Sequence, residues 1–231
     1  NMNLFPKTVN FLSTERYLDG GKSLENFKNF NLALHVNDRK KSVLENRSIL
    51  RDYYGLPSEP VWTNQTHSSI CVDAILTKRI IEADASFTIN PGVVCAILTA
   101  DCLPVFVSKK DGSMVGIAHA GWKGLISGVI ENLIESFNCN GEDLVVHLGP
   151  AISLNSFEVG KEIRDLYLSK NKHGTILSGV PIPLVSLTGI VASGVSSTAK
   201  AYVWVTGNDK VIVNSPYNWQ KRAGVDYDYF Q

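Results

Sequence analysis

Residues 114–137, MVGIAHAGWKGLISGVIENLIESF, decide the fold because they join a strand pattern directly to a helix pattern. The apolar run Met114–Ala118 predicts a buried strand. From Trp122 to Phe137, apolar residues return every three or four positions, which predicts one amphipathic helix that packs a broad face on a sheet. A strand followed at once by such a helix indicates a layered α/β fold.

The neighbouring segments continue this alternation. Further strands are predicted at Val61–Thr63, Ile70–Val72, Val93–Leu98, Val105–Val107, Asp143–Leu148, Ala201–Thr206 and Val211–Val213. Further helices are predicted at Lys41–Tyr54 and Glu158–Ser169. The continuously apolar run Val93–Leu98 is typical of a strand buried on both faces. The short turn Lys110–Gly112 predicts a hairpin, so we expect one α/β domain over residues 1–231, with a mixed β-sheet core flanked by helices.

The predicted helix Lys41–Tyr54 has one face that should pack against the rest of the protein. Its apolar residues at helical spacing are Val43, Leu50, Tyr53 and Tyr54. These residues predict the buried face, and Asn46 and Arg47 are expected on the other face.

Composition argues against several classes of function. The 22 Lys and Arg residues balance 22 Asp and Glu residues, so no net field would gather nucleic acid or anionic lipid. The longest strongly apolar run, Val93–Leu98, is far shorter than a membrane-spanning helix. Four irregularly spaced cysteines, with no CxxC pair and no signal-like leader, indicate reduced thiols in a cytoplasm. We expect a cytoplasmic monomer or weak dimer that acts on a small molecule.

Three short segments place candidate metal ligands at the ends of predicted strands. They are Gln65-Thr66-His67, Thr99-Ala100-Asp101-Cys102-Leu103-Pro104 and Ala118-His119-Ala120-Gly121-Trp122-Lys123-Gly124. The gaps of 35 residues from His67 to Cys102 and 17 residues from Cys102 to His119 are too long for a zinc finger. If folding joins them, one thiolate and two imidazoles give Zn²⁺ three ligands and leave a fourth position open, which is the layout of a catalytic site.

Two other interpretations of the same residues stay open. In the first, Cys102 is a nucleophile whose pKa is lowered by His67 or His119. Asp101 or Gln65 would then orient the base or the oxyanion. In the second, Cys102 is a small core residue and both histidines have local hydrogen-bond partners.

The segment Gly121–Gly124 opens the helix predicted from Trp122. Free backbone N–H groups at a helix start attract anions such as phosphate, and Lys123 adds a formal positive charge. The alternative is that the two glycines only allow close packing of helix on sheet.

Taken together, these motifs resemble the YfiH family, also called the laccase-domain or multicopper polyphenol oxidase family. The matching motifs are Gly20-Gly21-x-Ser23, Asn31-Leu32, Val36-Asn37-Asp38, Asn46-Arg47, Gln65-x-His67, Thr99-Ala100-Asp101-Cys102-x-Pro104, His119-Ala120-Gly121-Trp122-Lys123-Gly124, Gly149-Pro150-Ala151-Ile152 and Phe157-Glu158-Val159-Gly160. The resemblance spans about residues 14–165, and the C-terminal quarter lacks the family's usual motifs.

The resemblance implies a single α/β domain with zinc held by His67, Cys102 and His119. It implies phosphorolysis of adenosine, inosine, guanosine and methylthioadenosine to base and ribose 1-phosphate, with adenosine deamination as a further activity. From charge and placement, we expect catalytic roles for Cys102, Asp101 and His119. The expected substrate and phosphate contacts come from Arg47, Gln65, Lys123 and Glu158, with Glu158 as an alternative proton-transfer group to Asp101.

Other functions compete with this one. A thiol hydrolase using Cys102 with histidine would act on an amide or a cell-wall precursor. The hypothesis of a copper-linked polyphenol oxidase has less chemical support, because a multicopper cluster needs about ten histidines and the chain has 5. A non-catalytic protein with a purely structural metal would need an additional ligand that closes the coordination sphere.

Overall fold

The computed structural model describes residues 5–75, 80–152, 157, 159–170, 206–207 and 210–211. The helices in these ranges are α1 (Lys40–Tyr54), α2 (Trp122–Ser127), α3 (Val129–Ser136) and α4 (Lys161–Lys170). The strands are β1 (Thr63–Asn64), β2 (Cys71–Asp73), β3 (Ile81–Glu82), β4 (Ala85–Thr88), β5 (Leu103–Lys109), β6 (Val115–Ala120), β7 (Leu144–Leu148), β8 (Thr206–Gly207) and β9 (Lys210–Val211).

Five strands form the central sheet in the order β2–β4–β6–β5–β7. The pair β2–β4 is parallel, and the other three pairs are antiparallel. The hairpin between β5 and β6 turns at Gly112, whose φ of 75° suits a residue without a side chain. Two small pairs accompany this sheet, β1 with β3 in parallel and β8 with β9 in antiparallel orientation. The predicted α/β class with a mixed sheet is confirmed.

Helices α2 and α3 cover one face of this sheet. Ile130 and Leu133 of α3, with Phe137 just after it, are fully buried against Val105 and Val107 of β5 in the main apolar cluster. Burying one side chain of this size stabilises the fold by about 1.5–3 kcal/mol. The strand-to-helix stretch recognised in the sequence therefore builds the centre of the core.

The opposite face of the sheet is also covered. Phe5 and Phe11 pack on Phe106, Ile117 and Val145, which project from three neighbouring strands. Since β5 sends alternate side chains into both clusters, its residues form a continuous buried run. The two covered faces hold the ends of β5 and β6 in fixed positions.

The single helix predicted from Trp122 to Phe137 is wrong, because the chain forms two helices separated at Gly128. Gly128 has φ 91° and ψ 33°, a left-handed conformation that a right-handed helix does not continue through. Its N–H bonds to the carbonyl of Leu125 and thereby closes α2. The apolar periodicity runs across this break, which is why the sequence pattern does not reveal it.

The prediction of a strand at Val93–Leu98 is also wrong, because the structure has no strand there. Its only pairing among the described residues is an isolated bridge between Cys95 and Val61. The Gln65 amide takes the place of a neighbouring strand by bonding both the N–H and the carbonyl of Leu98, at 2.7 and 2.8 Å. The segment is half-buried, and Cys95 and Ile97 pack on the aromatic face of the sheet.

Helix α1 buries Val43 and Leu50, as predicted, but its buried face also includes two residues expected on the other face and leaves out Tyr53. Asn46 and Arg47 are buried, whereas Tyr53 is 61% exposed. Asn46 accepts the N–H of Lys22 at 2.7 Å and donates to the carbonyl of Asn31 at 2.8 Å. The Asn46 amide therefore supplies the N-terminal segment with hydrogen bonds that a neighbouring backbone would otherwise make. These bonds offset the cost of burying the amide.

The remaining helix and strand predictions have mixed outcomes. Helix α4 begins at Lys161, three residues after the predicted start at Glu158. The predicted strands Ala201–Thr206 and Val211–Val213 lie largely outside the described residues, which here comprise only β8 and β9. Among the helices that the structure describes, none combines the length and apolar character needed to span a bilayer.

Candidate metal centre

Three side chains from distant parts of the chain meet at one end of the central strands of the sheet. His67 lies on the bend between β1 and β2, Cys102 directly precedes β5, and His119 lies near the end of β6. The antiparallel register that pairs Pro104 with His119 brings the start of β5 beside the end of β6. One ligand atom from each of the three residues lies within 4.8 Å of the others. The group could therefore hold a metal ion.

The spacing of the three donors fits a shared ion. Cys102 Sγ lies 4.0 Å from His67 Nε2, and the imidazoles of His67 and His119 have centroids 4.8 Å apart. Sulfur and nitrogen ligands of one tetrahedral zinc ion lie about 3.6 Å apart, which follows from bond lengths of about 2.3 and 2.1 Å. His119 is only 4% exposed, Cys102 is half-buried and His67 is exposed. The centre is thus anchored on the sheet and open toward the bend.

The buried carboxylate of Asp84 holds the bend that carries His67. Asp84 lies between β3 and β4 and accepts the N–H groups of Thr66, His67 and Ser68 at 3.1, 3.1 and 2.6 Å. The φ of His67 is 59°, a left-handed conformation that costs about 1–2 kcal/mol for a residue with a side chain. The three hydrogen bonds to one carboxylate offset this cost and fix the direction of the imidazole.

Asp84 also contacts the buried ligand. His119 Nδ1 lies 2.8 Å from Asp84 Oδ1. Burial alone would raise the pKa of Asp84, but hydrogen bonds from His119, Ser68 and the Thr66 backbone outweigh it and lower the pKa to about 2. An ionised carboxylate only accepts hydrogen bonds, so Nδ1 carries the proton and Nε2 keeps its lone pair for a metal.

Gly121 leaves the space in which the donors meet. A Cβ at this position would lie 2.6 Å from His67 Cδ2 and 3.1 Å from Cys102 Sγ. Its φ of −68° and ψ of 160° are open to any residue, so the missing side chain matters for space rather than for backbone conformation. The glycine before α2 is thus part of the centre.

The protonation of the donors depends on their surroundings. Burial raises the pKa of the Cys102 thiol to about 12, and Asp101 adds to the rise. Burial lowers the pKa of His67, and the charges of His119 and Lys123 lower it further. A neutral imidazole is the form that binds a metal, whereas the thiol needs a nearby cation to lose its proton.

Two more of the predicted site residues lie next to the donors. Asp101 directly precedes Cys102 and contributes to the raised pKa of its thiol, and the backbone carbonyl of Asp101 accepts the N–H of Ile152 at 2.8 Å. Lys123 is exposed on the first turn of α2, near enough for its charge to act on His67. Helix α2 has only 6 residues, so its dipole is much smaller than that of the long helix expected from the sequence.

The other predicted contact residues either have partners within the chain or lie outside the described residues. The Gln65 amide is engaged with the backbone of Leu98. Arg47 donates through Nε to the carbonyl of Leu32 at 2.9 Å, and its guanidinium lies 4.0 Å from the centroid of the Trp62 ring. Glu158 lies outside the described residues. The roles of these three residues in binding substrate stay predictions.

A cleft of about 1780 Å³ opens beside the centre. The segment 98–100, just before Cys102, lines it together with Trp62 and Pro104, but the three donors do not. The adjoining space is far larger than a single water molecule requires, and its wall is partly aromatic.

Sequence reasoning missed Asp84. Its only local signal is an acidic residue in the run Ala83-Asp84-Ala85, at the start of a strand that was not predicted. An acidic residue between alanines that precedes the apolar Phe87 could have indicated a buried, paired carboxylate.

Comparison with known proteins gives a consistent family. A family model described as multi-copper polyphenol oxidoreductase laccase matches residues 11–181. A purine nucleoside phosphorylase of Haemophilus influenzae is 39% identical over 163 residues, which are 71% of this chain and 66% of the relative. The purine nucleoside phosphorylase YfiH of Escherichia coli is 42% identical over 168 residues, or 71% of this chain and 67% of the relative.

A third relative and two solved structures agree. A purine nucleoside phosphorylase of Pseudomonas aeruginosa is 43% identical over 150 residues, 65% of this chain and 61% of the relative. The chain thus spans roughly two thirds of the length of these relatives. A Neisseria meningitidis protein of family DUF152 has a TM-score of 0.69 at 34% identity, with 77% of this chain and 76% of that chain covered. The fold alone is shared with YlmD of Geobacillus stearothermophilus, with a TM-score of 0.72 at 23% identity and coverage of 79% and 76%.

Proposed function

The chain belongs to the multi-copper polyphenol oxidoreductase laccase family, which includes YfiH, and from that premise we propose that it is a zinc-dependent purine nucleoside phosphorylase. Its substrates would be adenosine, inosine, guanosine or methylthioadenosine together with phosphate, and its products the base and ribose 1-phosphate. Adenosine deamination is a second proposed activity. The relatives named as purine nucleoside phosphorylases support the reaction class.

The observation that carries the proposal is the cluster of His67, Cys102 and His119 at one end of the central strands. One thiolate and two imidazoles suit zinc, and no fourth His, Cys, Asp or Glu joins the group among the described residues. When bound, zinc would supply Lewis-acid polarisation of an oxygen atom at the open position. An open position distinguishes a catalytic site from a purely structural one.

The protein groups around the cluster would bind and orient the substrates. The cleft beside Pro104 and Trp62 offers an aromatic and apolar wall for a nucleoside. Lys123, exposed beside His67, would attract phosphate, with Arg47 as a second cation. Asp101, adjacent to Cys102, would exchange a proton with the departing base, a role for which Glu158 is the alternative. The free cysteines of the described residues fit the reducing cytoplasm in which we place the reaction.

A thiol hydrolase is the second candidate, because Cys102 Sγ lies 4.0 Å from His67 Nε2. In that mechanism the histidine would remove the thiol proton before attack on a carbonyl. The surroundings oppose it, since burial and Asp101 raise the pKa of Cys102 to about 12. A laccase-type copper oxidase is disfavoured by the 5 histidines of the chain.

Product analysis tests the proposal. The purified protein is incubated with each nucleoside, with and without phosphate, and the products are separated by chromatography. We expect release of free base and ribose 1-phosphate that requires phosphate and disappears in Cys102→Ala. Cys139→Ala is the matched control, because Cys139 is also a half-buried free cysteine but lies outside the cluster. Phosphate-independent turnover, or a Cys102→Ala variant that keeps its zinc but loses an amidase activity, would support the hydrolase instead.

A further inference from the structure

We infer that Asp84 is the positioning residue of the metal centre: it fixes the direction of His67 and the tautomer of His119, so that both imidazoles are arranged before an ion arrives. This inference rests on the proposed function only in taking the cluster as a metal site. It assigns a role to a residue that neither touches the ion nor lies in the recognised sequence motifs.

Five hydrogen-bond donors face the one carboxylate of Asp84. Oδ2 accepts the N–H groups of Thr66 and Ser68 and the hydroxyl of Ser68, at 3.1, 2.6 and 2.7 Å. Oδ1 accepts the N–H of His67 at 3.1 Å and lies 2.8 Å from His119 Nδ1. Only an acceptor on both oxygens satisfies this arrangement, because an unpaired buried donor costs about 1–3 kcal/mol.

The pairing of β4 with β6 also connects Asp84 to His119. Ala85 pairs with Ala118 in the antiparallel ladder of β4 and β6, which places Asp84 opposite His119. The carbonyl of Asp84 accepts the N–H of His119 at 2.7 Å, and its own N–H donates to the carbonyl of Ile70 at 3.1 Å. Main chain and side chain of one residue therefore join the sheet to the bend that carries His67.

The contacts with Asp84 have a different effect on each of the two histidines. With Oδ1 as the acceptor, His119 donates from Nδ1 and presents an unprotonated Nε2. For His67, the bonds to three successive N–H groups hold a left-handed backbone at φ 59°. Without them the bend would relax toward a right-handed or extended conformation, and the ring would point elsewhere.

Asp84→Asn separates this role from simple space filling, because asparagine has the same shape but one oxygen becomes an NH₂ group. If that group takes the place of Oδ2, it faces the N–H groups of Thr66 and Ser68 and the bend opens. If it takes the place of Oδ1, it donates to His119 Nδ1, which moves the imidazole proton to Nε2 and blocks the metal. Either orientation therefore disturbs the position of His67 or the tautomer of His119.

The test measures Zn²⁺ affinity by competition with a chelator and the Co²⁺ absorption spectrum for thiolate and ligand-field bands. We expect Asp84→Asn to lose about 10- to 100-fold in Zn²⁺ affinity, as outer partners of metal ligands usually do when replaced. Ser68→Ala is the matched control, since it removes one hydrogen bond to Oδ2 but leaves the contact with His119, and we expect its affinity to stay within about threefold.

A second measurement needs no variant and covers the case in which Asp84→Asn does not fold. In ¹⁵N NMR spectra of the metal-free wild-type protein, we expect the His119 proton on Nδ1. A proton on Nε2, or a folded Asp84→Asn variant with wild-type Zn²⁺ affinity, overturns the inference. A wild-type chain without Zn²⁺ affinity overturns both this inference and the zinc-dependent function. A chain that shows the expected loss in Asp84→Asn but no phosphorolysis supports the inference and overturns the function.

Discussion

Gly121→Ala should weaken metal binding at the centre without unfolding the protein. The added methyl group would lie 2.6 Å from His67 Cδ2, whereas carbon atoms in contact lie about 3.5–4.0 Å apart, so the imidazole has to retreat by about 1 Å. Metal–ligand distances vary by only about 0.2 Å, and a shift of this size therefore detaches the ligand or strains the bond. The backbone of Gly121 tolerates alanine, and the His67 ring is exposed, so it can turn toward solvent while its backbone stays bonded to Asp84.

We expect a loss of Zn²⁺ affinity of about 10- to 100-fold, which corresponds to about 1.4–2.8 kcal/mol. The assay is a competition titration against a chelator of known affinity, with the free energy of unfolding of the metal-free protein measured in parallel. Gly116→Ala is the matched control, because its methyl group would lie 2.8 Å from Leu133 Cδ1 in the core rather than near a ligand. It should lower stability and keep the affinity. Equal Zn²⁺ affinity in Gly121→Ala and wild type, with both folded, would refute the reasoning.

Three further predictions concern pH, helix geometry and the buried cation. Burial lowers the pKa of His147 to about 3, so from about pH 6.5 down to about pH 3 the unfolded chain binds a proton that the folded protein does not. The contribution of neutral His147 to the free energy of unfolding should therefore be fully present above about pH 6.5 and should decrease as the pH falls across this window. In denaturant titrations, the free energy of unfolding of His147→Gln should change less with pH. Gly128→Ala, at φ 91°, should lower the free energy of unfolding by about 1–2 kcal/mol, and an unchanged urea midpoint would contradict the observed helix break. Arg47→Lys should weaken the stacking on Trp62 and lose the bond to Leu32, lowering stability by about 1–3 kcal/mol. If Arg47 also binds phosphate, its variant should raise the KM for phosphate as well, and an unchanged KM would restrict the residue to a structural role.

The parts of the fold that the sequence predicted are those in which local pattern and burial agree. Strands β5 and β6 and the apolar face of α3 form the centre of the core, so their periodicity follows directly from what they pack against. The motif ends at Cys102 and His119 are adjacent because an antiparallel hairpin joins β5 to β6. Hairpin pairing is a short-range feature, but the residue pattern alone left the meeting of these donors open, and the ligand set came from the family resemblance.

The errors come from side chains that replace backbone partners. Gln65 bonds the main chain of Leu98 where a strand was expected, and Asn46 bonds the N-terminal segment from a helix face that was expected to be solvated. Apolar periodicity contains no information on such amide bridges, because it records burial and not what the polar groups contact. Asp84 escaped prediction for the same reason, since all five of its side-chain hydrogen bonds are to residues distant in sequence.

Because the three donors differ in exposure, an ion bound by them would be more accessible to solvent from one side than from the other. In the part of the chain that the structure describes, His119 is enclosed by the sheet and His67 stands on an exposed bend, so we expect a competing chelator to approach from the side of that bend. Detachment of His67 would then be the first event in metal exchange, and reattachment the last. Substitutions in the bend should change both how fast zinc enters and leaves and how tightly it is held, whereas substitutions around His119 should act mainly on the affinity.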